Sequence, residues 1–97
     1  MRDDLKFLVP LVKQAQKMLD LKSIRVFGSF ARGDYTQASD VDLAFEFNKR
    51  DDERWVKFKL WVADDFRSLR FFDLLDLSEV DETFYKSIIS EGVILYE

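Results

Sequence analysis

Residues 23–47 read SIRVFGSFARGDYTQASDVDLAFEF, and two short apolar runs within them decide the fold. The first, 23–27, is rich in β-branched and aromatic side chains and stops at Gly28, which predicts a buried strand ending in a turn. The second, 40–47, alternates strictly, with Val41, Leu43, Phe45 and Phe47 on one side and Asp40, Asp42, Ala44 and Glu46 on the other. It predicts a strand with one core face and one acidic face. Between them, residues 31–38 are polar with Gly33 near the middle, room for one helical turn and a loop.

Upstream, Leu5, Leu8, Val12, Ala15 and Leu19 recur at helical spacing while Lys6, Lys13 and Lys17 fall off that stripe, which predicts an amphipathic first helix. Pro10 lies inside the pattern, so the helix either kinks there or starts near Val9 with Pro10 at its first position. Downstream, a charged run at 48–53 leads into a second long helix over 55–69, whose Trp55, Phe58, Val62, Phe66 and Leu69 share one narrow arc. Residues 71–77 (FFDLLDL) predict a third strand. Residues 78–90 predict a helix with Phe84, Ile88 and Ile89 inward, Gly92 its stop, and VILY a short extended ending. Two further apolar lines, Phe7, Leu11, Met18 and Val56, Leu60, Ala63, either bind a partner protein or broaden the core. The expected class is α+β, a small mixed sheet with flanking helices, with residues 1–97 as a single domain, since a chain of this length has no room for two cores.

Composition narrows the chemistry. Fifteen Lys and Arg against 19 Asp and Glu leave a net charge of −4, which argues against holding duplex nucleic acid through its phosphates. The absence of Cys and His removes disulfides, thiolate and imidazole metal ligands and every His-dependent triad. Carboxylates, hydroxyls, Arg and Lys remain. No apolar run approaches the roughly 20 residues that span a bilayer and no signal-peptide core opens the chain, so a cytoplasmic protein without membrane contact is expected. Residues 71–97 hold one basic and seven acidic side chains, a surface that favours a cation or a basic neighbour.

The constellation that carries chemistry is Gly28-Ser29, ten residues, then Asp40-Val41-Asp42. Gly28 lacks a Cβ and lets backbone approach a phosphate, and Ser29 adds a hydroxyl and an N–H at the mouth of the turn. Two residues apart on a strand, Asp40 and Asp42 leave the same face about 6.6 Å apart along the backbone. Their mutual repulsion requires a basic residue or a divalent cation in compensation. Oxygen-only ligands favour Mg²⁺ or Mn²⁺, and a pair of such ions ~3.5–4 Å apart serves in-line nucleotidyl displacement. A third carboxylate must come from FFDLLDL, where Asp73 and Asp76 differ by three and face opposite sides. Asp73, among apolar neighbours at mid-strand, is the expected third ligand, although a buried pair with an Arg would read the same. Asp76, near the strand end, is expected to reach solvent. Arg32 either meets phosphate oxygens bidentately or pins the loop to Asp34 or Asp40. Ser39 is a loop residue at the start of the strand, with nucleotide binding as its functional alternative.

The stretch FGSFARGDYTQASDVDLAFEF resembles, over its whole length, the signature of the minimal nucleotidyltransferase (MNT) branch of the DNA polymerase beta-type nucleotidyltransferase superfamily. FFDLLDL followed by a helix and SEGVILYE resembles the usual ending of that branch. The resemblance implies a mixed three-stranded sheet with helices, catalysis by two Mg²⁺ ions (Mn²⁺ as the alternative) and ATP as donor. It implies Gly28 and Ser29 on the triphosphate and Asp40, Asp42 and Asp73 as catalytic metal ligands; Arg32 and Gly33 match its pattern, and Arg32 and Ser39 are the further residues expected in the nucleotide site. Phe30 stands where many members carry a basic residue. Members are often antitoxins of HEPN-domain ribonuclease toxins, and some transfer AMP to a tyrosine of the toxin. The expected function is therefore that transfer to a partner HEPN-type toxin, in a homo- or hetero-oligomer. The alternatives are a binding-only antitoxin and nucleotidyl transfer to a small molecule.

Overall fold

The computed structural model describes residues 1–66 and 70–97. A 3-10 helix over Asp3–Leu8 runs directly into α1 (Val9–Met18), and Pro10 lies in the first turn of α1, where its missing N–H costs no intrahelical bond. The alternative of a kinked helix falls away. β1 (Asp20–Phe27) starts before the apolar run because its early residues pair with the far end of β2 (Val41–Lys49), Asp20 opposite Lys49 and Leu21 opposite Phe47. Between the two strands, α2 (Ser29–Arg32) is a single turn closed by Gly33 at φ 84°. α3 (Asp52–Asp64) is capped by Asp51, whose side chain accepts the Arg54 N–H. Of its expected inward arc, Trp55, Phe58 and Val62 are buried and Phe66 is half-buried, while Leu69 lies outside the described residues.

β3 (Phe72–Asp76) is followed by a 3-10 turn over Leu77–Glu79, then α4 (Glu82–Glu91) and β4 (Val93–Tyr96). The last helix begins later than its apolar spacing suggests because two acidic caps divide the segment. Asp76 accepts the Ser78 N–H and opens the 3-10 turn, and Asp81 accepts the Phe84 N–H and opens α4. The sheet has four strands rather than three, in the order β3-β2-β1-β4, with β2 and β3 parallel and the other pairs antiparallel. VILY supplies the extra strand, Val93 pairing with Val26 and Tyr96 with Ile24. Gly92 permits the tight passage from α4 to β4, since a Cβ there would stand 2.5 Å from the Ile88 carbonyl oxygen.

One face of the sheet carries the main core. Leu5, Leu8, Leu11 and Ala15 pack there with Ile24, Leu43, Phe45, Trp55 and Phe58, and the Phe45 ring lies 5.1 Å from Trp55 and 5.5 Å from Phe58. Leu11 therefore belongs to the core, not to a second surface line, and Met18 packs beside it, whereas Phe7, Val56, Leu60 and Ala63 are exposed. The opposite face is more than acidic. Ala44, only 1% exposed, joins Phe27, Leu77 and Ile88 in a smaller cluster. Of the α4 residues expected inward, Ile88 is buried in this cluster, Phe84 sets its ring edge-on to Phe27 at 5.7 Å while staying 40% exposed, and Ile89 is 39% exposed. Among the described residues no helix is long and apolar enough to cross a membrane.

Asp76 reverses its expectation. It is 5% exposed and accepts hydrogen bonds from Arg50 Nη1 and from the N–H and hydroxyl of Ser78, each at 2.8 Å. Arg50 also meets Glu79 and Asp52, both at 2.7 Å, which binds the start of α3 to the end of β3. Burial alone raises the Asp76 carboxyl pKa, and Ser78 with Arg50 more than offsets it, so the group is held below its usual 3.8. A depressed carboxylate contributes stability above its unfolded pKa and loses that contribution as pH falls through the folded value. Asp76→Ala should cost about 2 kcal/mol in urea unfolding at pH 7, and the deficit against wild type should shrink as pH drops below 3.8.

Candidate active site

Three elements converge at the end of the sheet where β2 begins. β1 closes at Phe27, and Gly28 turns the chain at φ 69° into α2. The register sets Phe27 opposite Asp42 on one side and Asp42 opposite Asp73 on the other, so one carboxylate lies between the Gly28 turn and a second carboxylate. A Cβ on Gly28 would approach Asp42 Oδ2 to 2.5 Å, so the glycine is needed for close packing as well as for its positive φ. Asp40 precedes the strand by one residue and is exposed, as is Asp73, while Asp42 is half-buried. Asp73 was expected among apolar neighbours. It is instead open to solvent because β3 is an edge strand that turns Phe72 and Leu74 to the core.

Burial is the main influence raising the Asp42 carboxyl pKa above its usual 3.8; the charges of Asp73 and Asp40 raise it further, and Arg32 opposes them. Among the described residues no three acidic side chains stand close enough to make a ready ion cage. The expected trio Asp40, Asp42 and Asp73 is thus not gathered into one cluster, and only Asp42 with its neighbours in charge is on hand for magnesium, which usually takes one or two carboxylates completed by substrate phosphates. The donor set is all oxygen, Asp42 carries repulsion that a cation would relieve, and the glycine turn beside it offers bare backbone. These residues fit a divalent ion bound together with a nucleotide.

The remaining predicted residues are engaged with partners of the protein itself. The Arg32 guanidinium pairs with Asp34 at 3.2 Å and with Glu91 of α4 at 3.6 Å, and its charge reaches Asp42. Ser29 opens α2, its carbonyl accepting the N–H groups of Gly33 and Asp34. Ser39 closes the turn before Asp40, its hydroxyl accepting the Thr36 N–H at 2.9 Å. Phe30 is a core residue, stacked on Tyr35 with ring centroids 4.0 Å apart. Sequence reasoning passed over Arg70, which grips the turn ahead of Asp40 and has no local pattern to mark it. A groove of about 490 Å³ is lined by Val62, Phe66, Arg70, Phe72 and Asp73. A larger cleft surrounds Arg50 and Asp76 at the other end of β2.

The family described as Polymerase beta, Nucleotidyltransferase matches residues 10–97, which includes every one of these groups. The chain belongs to that family. This nucleotidyltransferase is similar to a candidate protein adenylyltransferase of Methanocaldococcus jannaschii, with 29% identity over 83 residues, 78% of this chain and 79% of the relative. Among solved structures it is similar to a toxin-antitoxin complex with AMP-PNP (24% identity, TM-score 0.67, covering 93% of this chain and 70% of that one). It is also similar to a chain in the complex of tri-AMPylated Shewanella oneidensis HEPN toxin with MNT antitoxin (21% identity, TM-score 0.64, covering 93% and 69%). Both likenesses carry the nucleotidyltransferase fold.

Two substitutions check this geometry. Because the folded pKa of Asp42 is raised, its ionised form costs stability once pH exceeds the usual 3.8, and the cost is fully present above the raised folded value. Asp42→Asn should therefore raise the melting temperature of the metal-free protein at pH 7, with the gain vanishing in acid. Gly28→Ala, which meets both the positive φ and Asp42, should lower stability by about 1–3 kcal/mol in denaturant titration.

Proposed function

We propose that this nucleotidyltransferase moves AMP from ATP to a hydroxyl of a partner HEPN-type toxin, with tyrosine as the acceptor, and acts as its antitoxin in the cytoplasm. The observation that carries the reading is the register of Asp42 with Asp73 beside the Gly28 turn, with Asp40 adding to the charge on Asp42. The similarity to a candidate protein adenylyltransferase supports the protein acceptor, and similarity to complexes holding AMP-PNP or an AMPylated HEPN toxin supports donor and partner.

In this reading Gly28 and Ser29 receive the triphosphate, Arg32 adds positive charge on the phosphate side, and Ser39 serves the nucleotide site by holding the turn before Asp40. Asp40, Asp42 and Asp73 would hold Mg²⁺, with Mn²⁺ able to replace it, and the bound ions supply charge stabilisation for in-line displacement. The acceptor oxygen attacks the α-phosphorus, the bond to the bridging oxygen of the β-phosphate breaks, and pyrophosphate leaves. Asp73, exposed at the sheet edge where an acceptor can approach, takes the hydroxyl proton. The open edge beside Asp73 leaves one wall of the site to the partner protein.

Intact-mass measurement of a co-expressed HEPN-type toxin tests the scheme. An added adenylate should appear with the wild-type chain and vanish with the Asp40→Ala, Asp42→Ala double variant. Asp73→Asn should slow transfer about 100-fold while leaving ATP affinity nearly unchanged, because its contribution belongs to the transition state. A toxin neutralised without any added nucleotide would replace catalysis by simple masking.

A further inference from the structure

Arg70 joins the starts of two strands that carry the carboxylates. Its Nη1 donates to the Thr36 carbonyl at 2.7 Å and to the Ser39 carbonyl at 3.0 Å. Ser39 immediately precedes Asp40, and Arg70 stands three residues before Asp73. Between these two ends, the Val41 N–H bonds to the Phe71 carbonyl at 2.9 Å and begins the pairing of β2 with β3. Among the described residues, one guanidinium and one backbone bond thus tie the 36–39 turn and the start of β2 to the start of β3.

The guanidinium rests on a fixed platform. It lies 4.7 Å from the centre of the Phe30 ring and 5.5 Å from that of Tyr35, and those two rings are parallel within 5°. Phe30 is buried in the main core. Tyr35 donates its hydroxyl proton to Asp4 at 3.1 Å, and Asp4 is paired with Arg2, which also donates to the carbonyls of Phe30 and Ala31. Beside these two rings a single Nη1 of the rigid, planar guanidinium reaches both carbonyls, whereas a lysine ammonium is a point charge on a flexible stem with no such fixed fork.

We propose that Arg70 is a positioning residue for Asp40. It acts through the 36–39 turn and sets the distance of Asp40 from Asp42 and Asp73 without touching nucleotide. This rests on the reading of Asp40 as a metal-site carboxylate, and the test separates the two claims. Mn²⁺ is titrated in the presence of a non-hydrolysable ATP analogue, and the rise in melting temperature is read for wild type, Arg70→Lys, Asp40→Asn and the combined variant. Arg70→Lys should need about tenfold more Mn²⁺ to reach half its shift, the scale of loss when a group behind a metal ligand is changed. In the Asp40→Asn background the same change should add nothing, because its effect passes through Asp40. Should the lysine variant fail to fold, Arg70→Gln, which keeps an amide donor for the carbonyls, takes its place. A wild-type titration from Arg70→Lys alongside a shifted Asp40→Asn overturns the positioning role, and so do effects that add in full. A wild-type titration from Asp40→Asn overturns the underlying site reading instead.

Discussion

Strand β2 is hydrogen-bonded on both sides, antiparallel to β1 and parallel to β3, and Asp42 takes its place beside Phe27 and Asp73 from that double register. A slip of one residue on either side would turn Asp42 toward the main core and Leu43 toward the open face. The register is held by burial. Leu43 and Phe45 sit wholly inside the main core while Ala44 fills the smaller cluster under α4, so neither face of the strand tolerates exchange with the other. The carboxylates at the start of β2 therefore rest on a strand anchored by apolar packing along its middle.

The two ends of that strand treat acidic groups in opposite ways. At the far end, Asp76 is buried and stabilised by Ser78 and Arg50. At the near end, Asp42 is partly desolvated beside Asp73 and Asp40, with Arg32 opposing from a position already shared with Asp34 and Glu91. A carboxylate satisfied by the protein serves structure, and one left under repulsion is available to a ligand.

Much of this was legible in the residues themselves. The alternation over 40–47 and the Gly28 stop located β1, β2 and the turn between them, and the family signature could be quoted directly from the chain. What escaped depended on tertiary partners. Asp73 and Asp76 exchanged their expected environments because local pattern does not reveal which face of an edge strand is covered, or that Arg50, 26 residues away, reaches Asp76. VILY became a strand because β1 had a free side for it, a fact of sheet order rather than of those four residues. Ala44 gave no sign of burial, since alanine fits water and core alike. Arg70 was invisible for the same reason as Arg50, its partners lying 31 and 34 residues earlier.

The place of β4 also bears on how the chain is made. β1 and β2 are neighbours in sequence, joined by residues 28–40, and can pair before the rest of the sheet is made, whereas β1 receives its other neighbour from residues 93–96. Until those residues have left the ribosome, the outer side of β1 presents unpaired backbone groups next to Ile24 and Val26, an open template for another strand. The four residues that complete the sheet thus also end its exposure to misassociation during biosynthesis.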